Sequence, residues 1–154
     1  MTKIEWYQRN DEKTVHIAYL DKKAKEFEKL INKQKSMIIR GANGRKSPYG
    51  RVFENEEIYF IENDGSGQII AKGQTGTIIS SNKMTENESI LFIEKYAEKL
   101  NLSDLQLKRW SGKKFLCLIE IKNIKEIEPL KLNRTNNMDD WILIKDISDV
   151  TDKI

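Results

Sequence analysis

One cysteine, one histidine and two prolines are all that this 154-residue chain has of those three residue types. Cys117 cannot form a disulfide within the chain, and its setting, Leu116-Cys117-Leu118-Ile119, suits a buried core thiol. A reducing compartment follows, and the expected location is the cytoplasm. His16 stands alone, so neither a histidine-built zinc site nor a Ser-His-Asp arrangement is expected. It lies in an apolar strand and reads as structural, and no metal or cofactor is expected. No apolar run approaches the ~18 residues that span a bilayer, which gives no reason to expect a membrane contact. The start, Met1-Thr2-Lys3-Ile4-Glu5-Trp6, lacks the apolar stretch of a secretory signal. The most informative absence is local: residues 32–51 contain no Asp or Glu.

That segment instead holds Lys33, Lys35, Arg40, Arg45, Lys46 and Arg51, with Gly41, Gly44 and Gly50 among them. The chain is formally +3, so a segment worth +6 leaves −3 on the rest. Folded domains normally intersperse the two signs over their surface. A glycine-containing basic loop can turn backbone N–H groups and cationic side chains towards one anion, which suits phosphate. A solvated loop without a ligand is the plain alternative. Arg45, Lys46 and Arg51 are natural phosphate contacts. Tyr49 between them either stacks on a base or packs beside Pro48. Trp110 with Lys113 and Lys114 forms a second aromatic-and-basic group, read mainly as core packing. Gly41 to Ser47 superficially resembles a phosphate-binding loop but lacks the GxxxxGK[ST] spacing.

The pattern along the chain predicts a strand at 14–20 and a helix from Asp21 to about Lys33, with Ala24, Phe27, Leu30 and Ile31 buried. A short strand at 37–39 follows. A hairpin of 57–61 and 68–73 continues towards 77–79, with Gly73 and Gly76 marking bends. Thr85 with Glu88, and Ser103 with Gln106, read as capping boxes opening two helices, the first buried through Ile90, Ile93, Ala97 and Leu100. Residues 115–121 form the most apolar strand, and 141–144 a last one. Asp139-Asp140 beside Asn136-Asn137 reads as a cap or turn. Strands in groups with few intervening helices argue for one α+β domain over residues 1–154, built on a small, mostly antiparallel β-barrel flanked by helices.

This order, with Lys35-Ser36-Met37-Ile38-Ile39-Arg40 after the first helix, resembles the PUA-like superfamily and within it the ASCH domains. Pro48-Tyr49-Gly50-Arg51 and Glu57-Ile58-Tyr59-Phe60 are similar to that family's turn and following strand. Ile69-Ile70-Ala71-Lys72 and the strand at 115–121 fall where later barrel strands belong. Gln34 replaces the usual glycine and Ile38 a frequent glutamate, and nothing after Asn133 has a counterpart. The resemblance implies a five- or six-stranded barrel whose cleft, lined by the lysine and arginine, holds RNA or a modified base. Lys35 and Arg40 are then cleft residues, although five positions on one strand place them on opposite faces unless a loop or bulge intervenes.

The expected function is therefore binding of nucleic acid, RNA first, through Lys33, Lys35, Arg40, Arg45, Lys46, Tyr49 and Arg51. An enzyme of the ASCH type, a ribonuclease or an amidohydrolase on a modified nucleoside, is the alternative. In that amidohydrolase branch a lysine, a threonine three residues on and a glutamate act together. Lys35 matches, but Ile38 stands where the hydroxyl is needed, and Glu86, Glu88 and Glu94 are left open as the carboxylate. A protein partner for the basic loop is the third reading.

Overall fold

The structure, a computed structural model, describes residues 14–133 and 140–153. Among the described residues seven strands form a single curled sheet. Strand β1 (Val15–Leu20) leads through helix α1 (Glu26–Ile31) to β2 (Met37–Ala42). Strands β3 (Glu57–Glu62) and β4 (Gln68–Ser80) form the expected hairpin. Helices α2 (Glu86–Lys95), α3 (Ala97–Leu100) and α4 (Asp104–Trp110) precede the long β5 (Phe115–Leu132). Strand β6 (Trp141–Ile144), a 3-10 turn at Ile147–Asp149 and β7 (Thr151–Lys153) complete the described chain. Among the described residues every pairing is antiparallel except β1 with β3, which are joined by the crossover through α1 and β2. The order β2-β5-β4-β3-β1-β6 has free ends at β2 and β6, so the barrel is a half-barrel with a seam between those strands.

Both capping boxes form, with Thr85 bonded to the Glu88 N–H and Ser103 to the Gln106 N–H. The helix expected over 21–33 is shorter. Lys25 adopts φ 58°, the Asp21 carboxylate caps the N–H of Ala24 instead, and regular helix begins at Glu26. The single helix expected up to Leu100 breaks at Tyr96, which rotates its inward face. Ser89, Ile93 and Leu100 are buried, whereas Ile90 is 36% exposed and Ala97 lies on the surface. Strand β5 runs well past Ile121 and pairs in turn with β2, β4 and β7. Of the Asn136 to Asp140 turn only Asp140 lies among the described residues. No helix among them is long and apolar enough to cross a membrane.

Three apolar clusters hold these layers. One, inside the curl, contains Ala18, Leu20, Ile38, Phe60, Cys117 and Trp141. A second lies under the β5–β7 end, and a third packs Ile39, Leu116 and Leu118 against Ile93, Leu100 and Trp110. Gly41 lets β2 and β5 approach beneath Trp110. A Cβ there would meet Leu116 Cδ2 at 2.5 Å and the Phe115 carbonyl oxygen at 2.9 Å. Backbone cannot withdraw, so Gly41→Ala overpacks the core and is expected to cost about 1–3 kcal/mol. Gly44→Ala, with open space around it, is expected to stay within about 0.5 kcal/mol of wild type. Urea unfolding of the two variants reads the contrast.

Candidate nucleic-acid interface and the buried lysine–arginine cluster

Strand β2 divides the basic segment. Lys33, exposed with φ 62°, lies in the turn before it, and Arg45, Lys46 and Arg51 lie in the exposed loop after it. A strand rises about 3.3 Å per residue, so Met37 to Ala42 separates the two groups by roughly 16 Å. Lys35 and Arg40 are neither solvated nor free.

Lys35 is enclosed between α1 and the end of α3. Its Nζ donates to the Leu100 carbonyl and lies 3.3 Å from Glu26 Oε2, with the two side chains 0% and 3% exposed. The backbone seals this corner. The N–H groups of Gln34 and Lys35 both donate to Lys29 O, Ser36 N donates to Lys99 O, and Asn101 Nδ2 donates to Gln34 O. Glu26, which is not among the residues expected to be buried on this helix, is 2% exposed, and its Oε1 accepts the Asp21 N–H. Burial lowers the Lys35 ammonium from its usual value, and Glu26 offsets this in part.

Arg40 leaves β2 across the seam. Its Nη1 donates to Ile39 O at 2.7 Å and its Nη2 to Tyr19 O on β1. Nε lies 3.3 Å from Asp140 Oδ2, and the guanidinium sits 5.6 Å from the ring centroid of Trp141. Asp140 also lies 3.5 Å from Arg109 Nη2, and its backbone oxygen accepts the Tyr19 N–H. Both sheet ends are thereby tied to one cation. Beside it Trp141 Nε1 donates to His16 Nδ1 at 3.0 Å. Indole can only donate, so the proton of this imidazole is on Nε2, which meets Glu56 Oε1 at 2.7 Å. His16 is thus a buried ring bonded on both nitrogens. Burial pushes the Cys117 thiol up to about 11, in keeping with an inert core group.

The exposed cations are organised differently. Asn43 Oδ1 accepts the Lys114 N–H at 3.4 Å, and Met84 N donates to Lys114 O, so the β2–β3 loop, the turn before β5 and the segment before α2 meet. Arg45 lies over Phe115, 5.8 Å from its ring centroid. Tyr49 packs edge-on against the same ring at 5.4 Å, and its hydroxyl donates to Ser81 O. Tyr49 is therefore a half-buried prop, and Phe115 is the aromatic beside the cations. Lys83 and Lys114 are exposed at this junction and Lys113 is half-buried. Phe115, Lys83 and the role of Glu26 were not singled out from the sequence. The signal available for Phe115 was its position directly after Lys113-Lys114. Among the described residues no three His, Cys, Asp or Glu side chains gather as a metal site.

No family model and no curated protein sequence matches the chain. Solved structures do. An ASCH protein from Zymomonas mobilis is 12% identical, with 90% of this chain and 96% of that one covered at a TM-score of 0.63. The chain has the ASCH-type fold. A tyrosine-to-phenylalanine variant of the Zymomonas mobilis protein gives 14% identity, 90% and 99% coverage and a TM-score of 0.62. A serine-to-alanine variant gives 13%, 84% and 87%, and 0.61. At such identity the ASCH likeness is one of fold, and the α+β half-barrel accords with it.

Lys35→Met strands the buried Glu26 carboxylate and is expected to cost about 3–5 kcal/mol, most of it recovered in Lys35→Met/Glu26→Gln. Because the folded-state pKa of Lys35 is depressed, the unfolded chain holds more protons in the range below 10.5. Stability from this group therefore rises with pH there, and the gap between wild type and Lys35→Met widens as 10.5 is approached. Arg40→Lys keeps the charge but cannot reach Tyr19 O, Asp140 and Ile39 O together. A loss of about 1.5–3 kcal/mol is expected in denaturant unfolding.

Proposed function

We propose that this protein binds single-stranded nucleic acid, RNA first, on the face where the β2–β3 loop meets the turn before β5. The observation that carries this reading is the junction itself. It sets Arg45 over Phe115 and ties the Lys114 backbone N–H to Asn43, which brings the basic β2–β3 loop and the Lys113-Lys114 turn together beside one partly exposed ring. Single strands are held by that combination, with cations tracking phosphates and an aromatic or guanidinium plane receiving a base. Arg45, Lys46 and Arg51 take phosphates, with Lys114 beside them, and Lys33 serves a strand long enough to follow β2. Tyr49 acts through Phe115. Lys35 and Arg40 fix the shape of the strand that carries the loop.

Catalysis is the weaker reading. A carboxylate, Glu26, does converge on Lys35, yet both side chains are enclosed and the ammonium is already bonded to Leu100 O. An acidic protein partner fits the same cations but gives no role to the Arg45–Phe115 pair.

Fluorescence anisotropy with a labelled single-stranded RNA tests the proposal. If three to five phosphates are neutralised, the log–log salt slope is about −2 to −3.5 between roughly 50 and 200 mM. Arg45→Ala and Lys114→Ala each flatten it by about 0.7. Phe115→Leu weakens binding by about 1–3 kcal/mol while leaving the slope unchanged. Binding indifferent to salt overturns the reading.

A further inference from the structure

We infer that a second site, at the end of the sheet where β1 and β3 begin, binds a small phosphate monoester. A depression of about 300 Å³ opens there, at the lower bound of cavities that hold organic ligands. Its polar lining comes from Asn55, Glu57, Lys72, Gln74, Asn123 and Lys125. It is separate from the loop face. Phe115, beside Arg45, and Lys125 lie far apart on β5, on the order of 30 Å along the strand at 3.3 Å per residue.

The hydrogen bonds within this lining fix which groups remain for a ligand. Lys122 Nζ donates to Asn55 Oδ1 at 3.0 Å, so the Asn55 amide nitrogen keeps both of its hydrogens. Asn123 Nδ2 donates to Gln74 Oε1 at 2.8 Å, which leaves the Gln74 amide nitrogen free to donate. Glu57, the carboxylate that would repel an anion, is paired with Lys72 at 2.8 Å, and that contact raises the Lys72 ammonium above its usual value. Among the described residues the Lys125 side chain has neither an ion pair nor a hydrogen bond. The balance is donor-rich, with Lys125 unpaired and Lys122 bonded to the neutral Asn55 amide. Asn55 and Asn123 both hold positive φ, 65° and 55°, which fixes their amides at tight backbone bends. A tetrahedral group with three terminal oxygens matches two carboxamide donors and an ammonium better than a two-oxygen carboxylate does. The remaining Asn123 Oδ1 accepts from the body of the ligand.

The site stands independently of the RNA reading. The test is titration of the full chain with AMP, inorganic phosphate and adenosine, following the Asn and Gln side-chain amide signals by NMR. AMP and phosphate are expected to shift the Asn55 and Gln74 amides saturably, and adenosine is not. Lys125→Ala is expected to weaken AMP by about tenfold or more, the loss of one charge-assisted hydrogen bond. Arg45→Ala, which weakens RNA, leaves AMP affinity unchanged. A 5′-phosphorylated trinucleotide that binds more tightly than AMP identifies the end of a strand as the source of the phosphate, and one that binds no better identifies a free monoester. Both outcomes support the site. Absence of saturable shifts, equal shifts with adenosine, or loss of AMP binding in Arg45→Ala overturns it.

Discussion

Arg40 joins two strands that no ladder joins. The sheet ends at β2 on one side and β6 on the other, and each edge would expose unpaired backbone groups to the opposite one. The guanidinium crosses that gap, bonded to Tyr19 O and paired with Asp140 while lying against Trp141. A planar fork of five donors can meet a carbonyl, a carboxylate and an aromatic face from one position, which an ammonium cannot. Strand β6 is placed by its ladder with β1, and the guanidinium closes the remaining gap to β2 beside the first apolar cluster. That closure also accounts for a basic residue inside a strand that is otherwise apolar.

Polar groups within the barrel serve position more than stability. Trp141, His16 and Glu56 form a chain of two hydrogen bonds that pins β6 to β1 and to the start of β3. Lys35 and Glu26 do the same for α1 and the end of α3. Desolvation exceeds the attraction within that pair, as the depressed Lys35 ammonium indicates, so the interaction gains little by itself. Its strength is geometric: this arrangement pairs the two charges, and separating them leaves a charge buried alone.

On the surface the same logic selects which cations reach solvent. The apolar side chains of β2 bury Met37, Ile38 and Ile39 and carry Arg40 inward with them. What remains exposed is Lys33 in the turn before the strand and the loop beyond Ala42, which the β5 turn then meets through Asn43. The resulting face depends on contacts between residues about seventy positions apart, as in the bond from Lys114 to Asn43.

Period and capping made much of the fold legible. The alternation at 57–61 and 68–73, the apolar run at 115–121 and the two capping boxes depend on neighbours within a few residues, and each appears where the pattern put it. The cation-rich segment was equally visible as composition. What the sequence could not assign was the side on which each cation lies. A lysine followed five residues later by an arginine reads as a shared cleft, or as an arginine paired with a nearby glutamate and a lysine merely solvated. Only the packing of α3 over Lys35 and of β6 over Arg40 decides that both are internal. Helix α1 shows the same limit, because Glu26 is held between the local Asp21 N–H and the Lys35 ammonium, which approaches from beyond the helix. Local structure follows from local chemistry, whereas burial of a charge depends on partners brought together by the whole chain.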